Sequence, residues 1–117
     1  MKTGSVHRDG TCLVPRAMKA LSWWSRLRGL LFRRPLASDG SEALLISPCS
    51  SVHTIGMAYG LDIVFLDATG VVLGTRERVR PWRACLQKGA RSTLELREGA
   101  VRRLSIATGD VLEWRAR

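Results

Sequence analysis

The sequence predicts a mainly β domain, a small antiparallel sandwich or barrel with one helix near its N-terminus. Three observations lead there. Beyond residue 41, short apolar runs recur at regular intervals, each bounded by turn residues. Several of these runs alternate apolar and polar residues with the period of two that a strand requires. One earlier stretch, 17–32, instead repeats its apolar residues every three or four positions, as a helix does.

The elements follow in order. Residues 1–10 are polar and read as a loose N-terminal segment, which leaves 11–117 as one β-rich domain. Residues 11–14 suit a short strand before Pro15. In 17–32, Ala20, Trp23, Trp24, Leu27, Leu30 and Leu31 make one apolar stripe, and Arg26, Arg28 and Arg33 lie mostly off it. Pro35 and the SDGS cluster at 38–41 stop that element. Tryptophan, leucine and arginine together also suit a membrane-surface anchor, but a helix covering a small sheet is the commoner outcome.

Residues 42–47 form a brief apolar run ended by Pro48, and 61–66 are apolar on both faces apart from Asp62, as in a central strand. A turn at 67–70 leads into 71–79, with Val71, Leu73, Thr75 and Val79 set inward and Arg76 and Arg78 toward water. Residues 92–97 place Leu94 and Leu96 on one side and Glu95 on the other. A short helical turn at 100–104 precedes Gly109 and Asp110, and 111–115 closes the domain with Leu112 and Trp114 on one face.

The chain has 117 residues, 45% of them apolar, as in a globular domain with one modest core. No apolar run approaches the roughly 18–20 residues of a membrane-spanning helix, and no secretory signal is visible, so the expected location is the cytoplasm. Cys12, Cys49 and Cys85 are widely spaced and only His7 and His53 accompany them, which does not fit a paired structural metal site. Neither a metal nor another cofactor is expected. The net charge of +9 comes mostly from arginine. Arg26, Arg28, Arg33 and Arg34 form one candidate anion-binding stripe and Arg76, Arg78, Arg80 and Arg83 another. Nucleic acid is therefore a possible partner but not the favoured one, because no groove-reading motif accompanies the charge.

The densest chemistry lies in PCSSVHTIGMAYGLDIVFLD, residues 48–67, where Cys49, Ser51 and His53 alternate before Asp62 opens a strand. Three stretches of the chain resemble the bacterial and archaeal family known as domain of unknown function 192. They are Arg26-Leu-Arg-Gly-Leu-Leu, then Cys49-Ser-Ser-Val-His-Thr-Ile-Gly-Met with Leu61-Asp-Ile-Val-Phe-Leu-Asp, and then Leu94-Glu-Leu-Arg-Glu-Gly with Gly109-Asp110. The second matches the subgroup with C-x-S-x-H-T. Together they span residues 20–113, and they depart from the family pattern at Tyr59–Gly60, where an aromatic followed by proline is expected. The resemblance implies a jelly-roll character for the sandwich or barrel; the family has no settled activity, so it implies no reaction.

The candidate pocket residues are Cys49, Ser51, His53, Thr54, Met57 and Asp62. A Cys49–His53 nucleophile pair is disfavoured, since four residues of strand separate the Cα atoms by about 13 Å. Ser51 and His53 are about 6.5–7 Å apart on one face, and the loop 56–60 could return Asp62 beside His53 in a triad-like group. No nucleophile elbow or oxyanion hole accompanies them. The simplest alternative has Asp62 accepting loop amides, His53 and Thr54 bonding backbone, and Cys49 packing as an apolar group. The residues thus favour a binding or accessory protein with a small pocket around His53 and Asp62, its partner a small molecule or peptide. The alternatives are an arginine-rich surface for nucleic acid or an acidic partner, and a hydrolase using Ser51, His53 and Asp62 or Cys49. Trp82, after Pro81 in an arginine-rich loop, is the tryptophan best placed for exposure.

Overall fold

The computed structural model describes residues 1–21, 35–54 and 57–117. The chain runs β1 (Lys2–Arg8), β2 (Thr11–Ala20), β3 (Glu42–Ile46), β4 (Ser51–His53), β5 (Leu61–Leu66), β6 (Val72–Val79), β7 (Ala84–Leu86), β8 (Ser92–Arg97), α1 (Ala100–Arg103) and β9 (Glu113–Ala116). Seven strands make one sheet in the order β6-β5-β8-β3-β2-β1-β9, and β4 pairs with β7 in a separate ribbon. The protein is mainly β, with the expected helical turn near the C-terminus. This order does not show the jelly-roll character that the resemblance implies.

The sheet is open, but its edges approach at one end. Val71 bridges Val111, Val72 N–H donates to the Asp110 carbonyl, and Leu112 N–H donates to that of Gly70. All strand pairs in the sheet are antiparallel except β2–β3. A parallel pair needs a long crossover, and residues 21–41 between these strands supply the length.

Three expectations need correction. The loose segment at 1–10 is largely β1, hydrogen-bonded to β2 on one side and β9 on the other. Polarity misled because β1 sends only part of its residues inward, Val6 above all. The helix placed at 17–32 begins in the wrong state, since Ala17 and Ala20 belong to β2, where both are fully buried. The rest of that stretch, with Trp23, Trp24, Arg26, Arg28, Arg33 and Arg34, lies outside the described residues. Pro15 did not end the strand either. The β1–β2 register shifts between Gly4 and Val6, and such a bulge accepts a residue that has no N–H to donate.

The middle strands β3, β5 and β8 are buried on both faces, which explains their apolar runs. Alternate residues feed two cores. The first face joins Ala43, Leu45, Val64, Leu66, Leu94 and Leu96 to Val14 and Val6 from the outer strands and Val101 from α1. The second face carries Leu44, Ile46, Leu61, Ile63 and Phe65, covered in part by Val52 of β4 and Cys85 of β7. The ribbon therefore sits on the second face and α1 on the first, and that division decides which candidate residues can meet.

Candidate functional site

Asp62 points to the first face, fully buried, and both of its oxygens are occupied by backbone. Oδ1 accepts the Arg78 N–H at 2.9 Å; Oδ2 accepts those of Gly99 at 3.1 Å and Val101 at 2.9 Å. Each amide needs this partner for a structural reason. The β5–β6 register shifts between Leu61 and Ile63, so the Arg78 amide, on a residue with φ of 54°, falls in a bulge opposite Asp62. Val101 is in the first turn of α1, whose N-cap, Gly99, has no side chain to offer and stands at φ 93°. Asp62 caps that helix from another strand. The L-D and L-E-L-x-x-G stretches of the sequence thus meet in one hydrogen-bonded joint.

His53 lies elsewhere. It ends β4 opposite Ala84, exposed, while Val52 beside it packs against the second-face core that includes Leu61 and Ile63. His53 and Asp62 are therefore on opposite faces of the main sheet, and the triad-like group does not form. Ser51 shares the exposed side of β4 with His53. Cys49 leaves that side, packs toward the second-face core, and donates its thiol hydrogen to the Ser51 carbonyl at 2.9 Å. Met57 packs against the same core. Of the six candidates, only Ser51 and His53 share an accessible surface.

Thr54 performs a positioning task. Buried, it donates its hydroxyl to the Arg80 carbonyl at 2.6 Å and accepts the Arg83 N–H at 2.8 Å. Its backbone N–H bonds the Arg83 carbonyl, and its own carbonyl accepts the Trp82 N–H. These bonds hold the 80–83 loop in a shape that presents Trp82, 66% exposed, with φ of 65°. A bulky residue in that left-handed region costs roughly 1–3 kcal/mol, so the surrounding bonds must impose it. Arg78, Arg80 and Arg83 are exposed as well, Arg83 donating to the Trp82 carbonyl, and Leu86 of β7 is 71% exposed on the ribbon, opposite Ser51. Arg76 leans back instead, donating to the Gln87 side chain and the Leu86 carbonyl.

Sequence reasoning missed Glu95. It faces the second side of β8, between Leu44 and Ile63, and is buried with Oε2 lacking a hydrogen-bond donor among the described residues. Alternation placed it opposite Leu94 and Leu96 correctly but gave no sign that the other face is covered as well. Burial pushes its carboxyl up from 4.5 to about 7. Such proton affinity suits a general acid or base, yet no described side chain shares a hydrogen bond with it. Burial also raises the Cys85 thiol, against the opposing pull of the Arg76 charge. Among the described residues, no group of three or more His, Cys, Asp or Glu is placed to hold a metal ion.

Two outcomes follow. Asp62→Ala strands three backbone donors and should lower the unfolding free energy by about 3 kcal/mol or more in urea denaturation, whatever ligand is present. Glu95 binds its proton more tightly folded than unfolded, so its contribution is complete below pH 4.5 and is lost as pH rises to about 7. Urea midpoints should fall across that window by an amount worth about 3 kcal/mol, and Glu95→Gln should flatten the change.

Comparison with known proteins supplies a family. The model of domain of unknown function 192 (DUF192), described as "Uncharacterized ACR", matches residues 5–114. A UPF0127 protein of Thermococcus sibiricus is 33% identical over 109 residues, 90% of this chain and 70% of the relative. One from Pyrococcus furiosus is 30% identical over 95 residues, 76% of this chain and 78% of its own length. A crystal structure of a protein of unknown function from Novosphingobium aromaticivorans superposes with a TM-score of 0.80 at 24% identity, covering 96% of this chain and 84% of the other. A Sinorhizobium meliloti structure, described as a candidate transcription regulator, gives 0.79 at 22% identity, covering 97% and 92%. At those identities the two structures establish the fold alone. The chain belongs to the uncharacterised family DUF192.

Proposed function

We propose that this domain works by binding rather than by catalysis, and that its partner is a single-stranded nucleic acid received on the 80–83 loop and the outer side of the β4–β7 ribbon. The observation that carries the reading is Trp82, exposed and held by Thr54 in a backbone conformation a bulky residue does not adopt unaided. An exposed indole on a loop whose backbone is held, with Arg78, Arg80 and Arg83 exposed close by in the sequence, combines a stacking platform with phosphate-pairing cations, the pairing that sequence-tolerant single-strand binders use. His53 and Ser51 on the same ribbon add hydrogen-bonding groups at its edge. The rival pocket between His53 and Asp62 has less support, because Asp62 is occupied by three amides on the far face. A location in the cytoplasm suits such a partner.

Fluorescence anisotropy with a labelled oligonucleotide across a salt series tests this. Binding should weaken steeply with salt, and Trp82→Ala should reduce affinity about 5–150-fold, the cost of one lost stack. Arg80→Gln with Arg83→Gln should lower the salt slope by about 1.4, since each phosphate contact on a single strand contributes about 0.7. Absence of salt-dependent binding, or an unchanged affinity in Trp82→Ala, overturns the proposal.

A further inference from the structure

At one end of the first face, between the β5–β6 turn and β9, lies a cavity of about 250 Å³ that takes no part in the surface above. Its floor is core: Leu45, Leu66, Leu94 and Leu112, all buried. Trp114 of β9 forms one wall, fixed by its indole N–H donating to the Ala17 carbonyl at 2.8 Å. Two charges on the lining keep free capacity. Lys19 of β2 has its Nζ 4.9 Å from the centre of the Trp114 ring and neither an ion-pair nor a hydrogen-bond partner among the described residues. Asp67 accepts the Thr69 N–H, the Thr69 hydroxyl and the Val71 N–H through Oδ1 alone, which leaves Oδ2 open. Those bonds, the Thr69 hydroxyl foremost, lower its pKa and keep it ionised. The remaining charge on the lining, Glu113, is paired with Arg115.

The geometry points to a binding site for a small zwitterion with an apolar side chain, an aliphatic or aromatic α-amino acid. Its carboxylate pairs with Lys19, its ammonium group with Asp67 Oδ2, and its side chain lies on the leucine floor against Trp114. A simple carboxylic acid would satisfy Lys19 and face Asp67 unpaired; a simple amine would do the reverse. A molecule with both charges offers a partner to each of these two side chains, and an apolar body suits the leucine floor. Size sets the upper limit. Pockets for drug-sized ligands run from about 300 to 1,000 Å³, so this one takes a smaller molecule.

Isothermal titration and methyl chemical-shift mapping on the full chain test the assignment, with L-leucine and L-phenylalanine as ligands. Their one-charge analogues, 4-methylpentanoate and 3-methylbutylamine, and glycine serve as comparisons. The amino acids should bind and shift the methyls of Leu45, Leu66 and Leu94, and each comparison should bind about tenfold more weakly or worse. Lys19→Met retains the apolar stem over Trp114 and should lose about tenfold or more in affinity without moving the thermal midpoint. Four results each overturn the proposal: no binding by either amino acid, equal binding by a one-charge analogue, shifts confined to other residues, or full affinity in a folded Lys19→Met. The analogue series and the mapping decide the matter even if that variant fails to fold.

Discussion

The joint made by the Asp62 carboxylate is the constraint on which the rest of this structure depends. It lies where three parts of the chain converge: a central strand, a bulge in the edge strand β6, and the start of α1. None of those amides has a local alternative. The bulge removes Arg78 from its ladder, and Gly99 offers the helix no side-chain cap. A buried carboxylate is costly in an apolar core unless its oxygens are satisfied, and here three donors satisfy them. Asp62 is a structural anchor, and its position on the first face sets everything around α1.

The same joint has a consequence for function. Because Asp62 is turned to one face, the polar residues of β4 are left on the other, away from its carboxylate. What they share instead is a ribbon that caps the second core with Val52 and Cys85 and turns Ser51, His53 and Leu86 outward. Thr54, just after β4, then works as Asp62 does, by collecting backbone groups, and it holds the loop on which Trp82 is exposed. One polar residue holds the interior while another holds a surface.

Much of the fold was legible because burial on two faces writes itself as an apolar run. Residues 61–66 and 92–97 are β5 and β8 in the positions their patterns give. The failures have physical causes. Ala17 and Ala20 fit a helical stripe and a strand equally well, and only the pairing with β3 decides between them. β1 is polar because it lies near the sheet's edge, so its identity as a strand comes from its neighbours. β7 has three residues, too few for a pattern. For the site, the period of two put Ser51 and His53 on one side of a strand together with Cys49, which in fact turns away, and Asp62 accepts backbone amides from a bulge and a helix start rather than from a loop. No local signal reveals on which face of a sheet a strand-opening carboxylate ends up, nor that Glu95 is covered on the side away from Leu94 and Leu96. Both are properties of how the layers stack.

Native-state hydrogen exchange tests the role of Asp62 most directly. If its carboxylate ties β6 and α1 into the core, the amides of Arg78, Gly99 and Val101 exchange only through global unfolding, at the rate of Val64 and Leu94, despite their places in a bulge and at a helix end. Exchange of those three amides orders of magnitude faster than the central strands, as for ordinary loop positions, would contradict it.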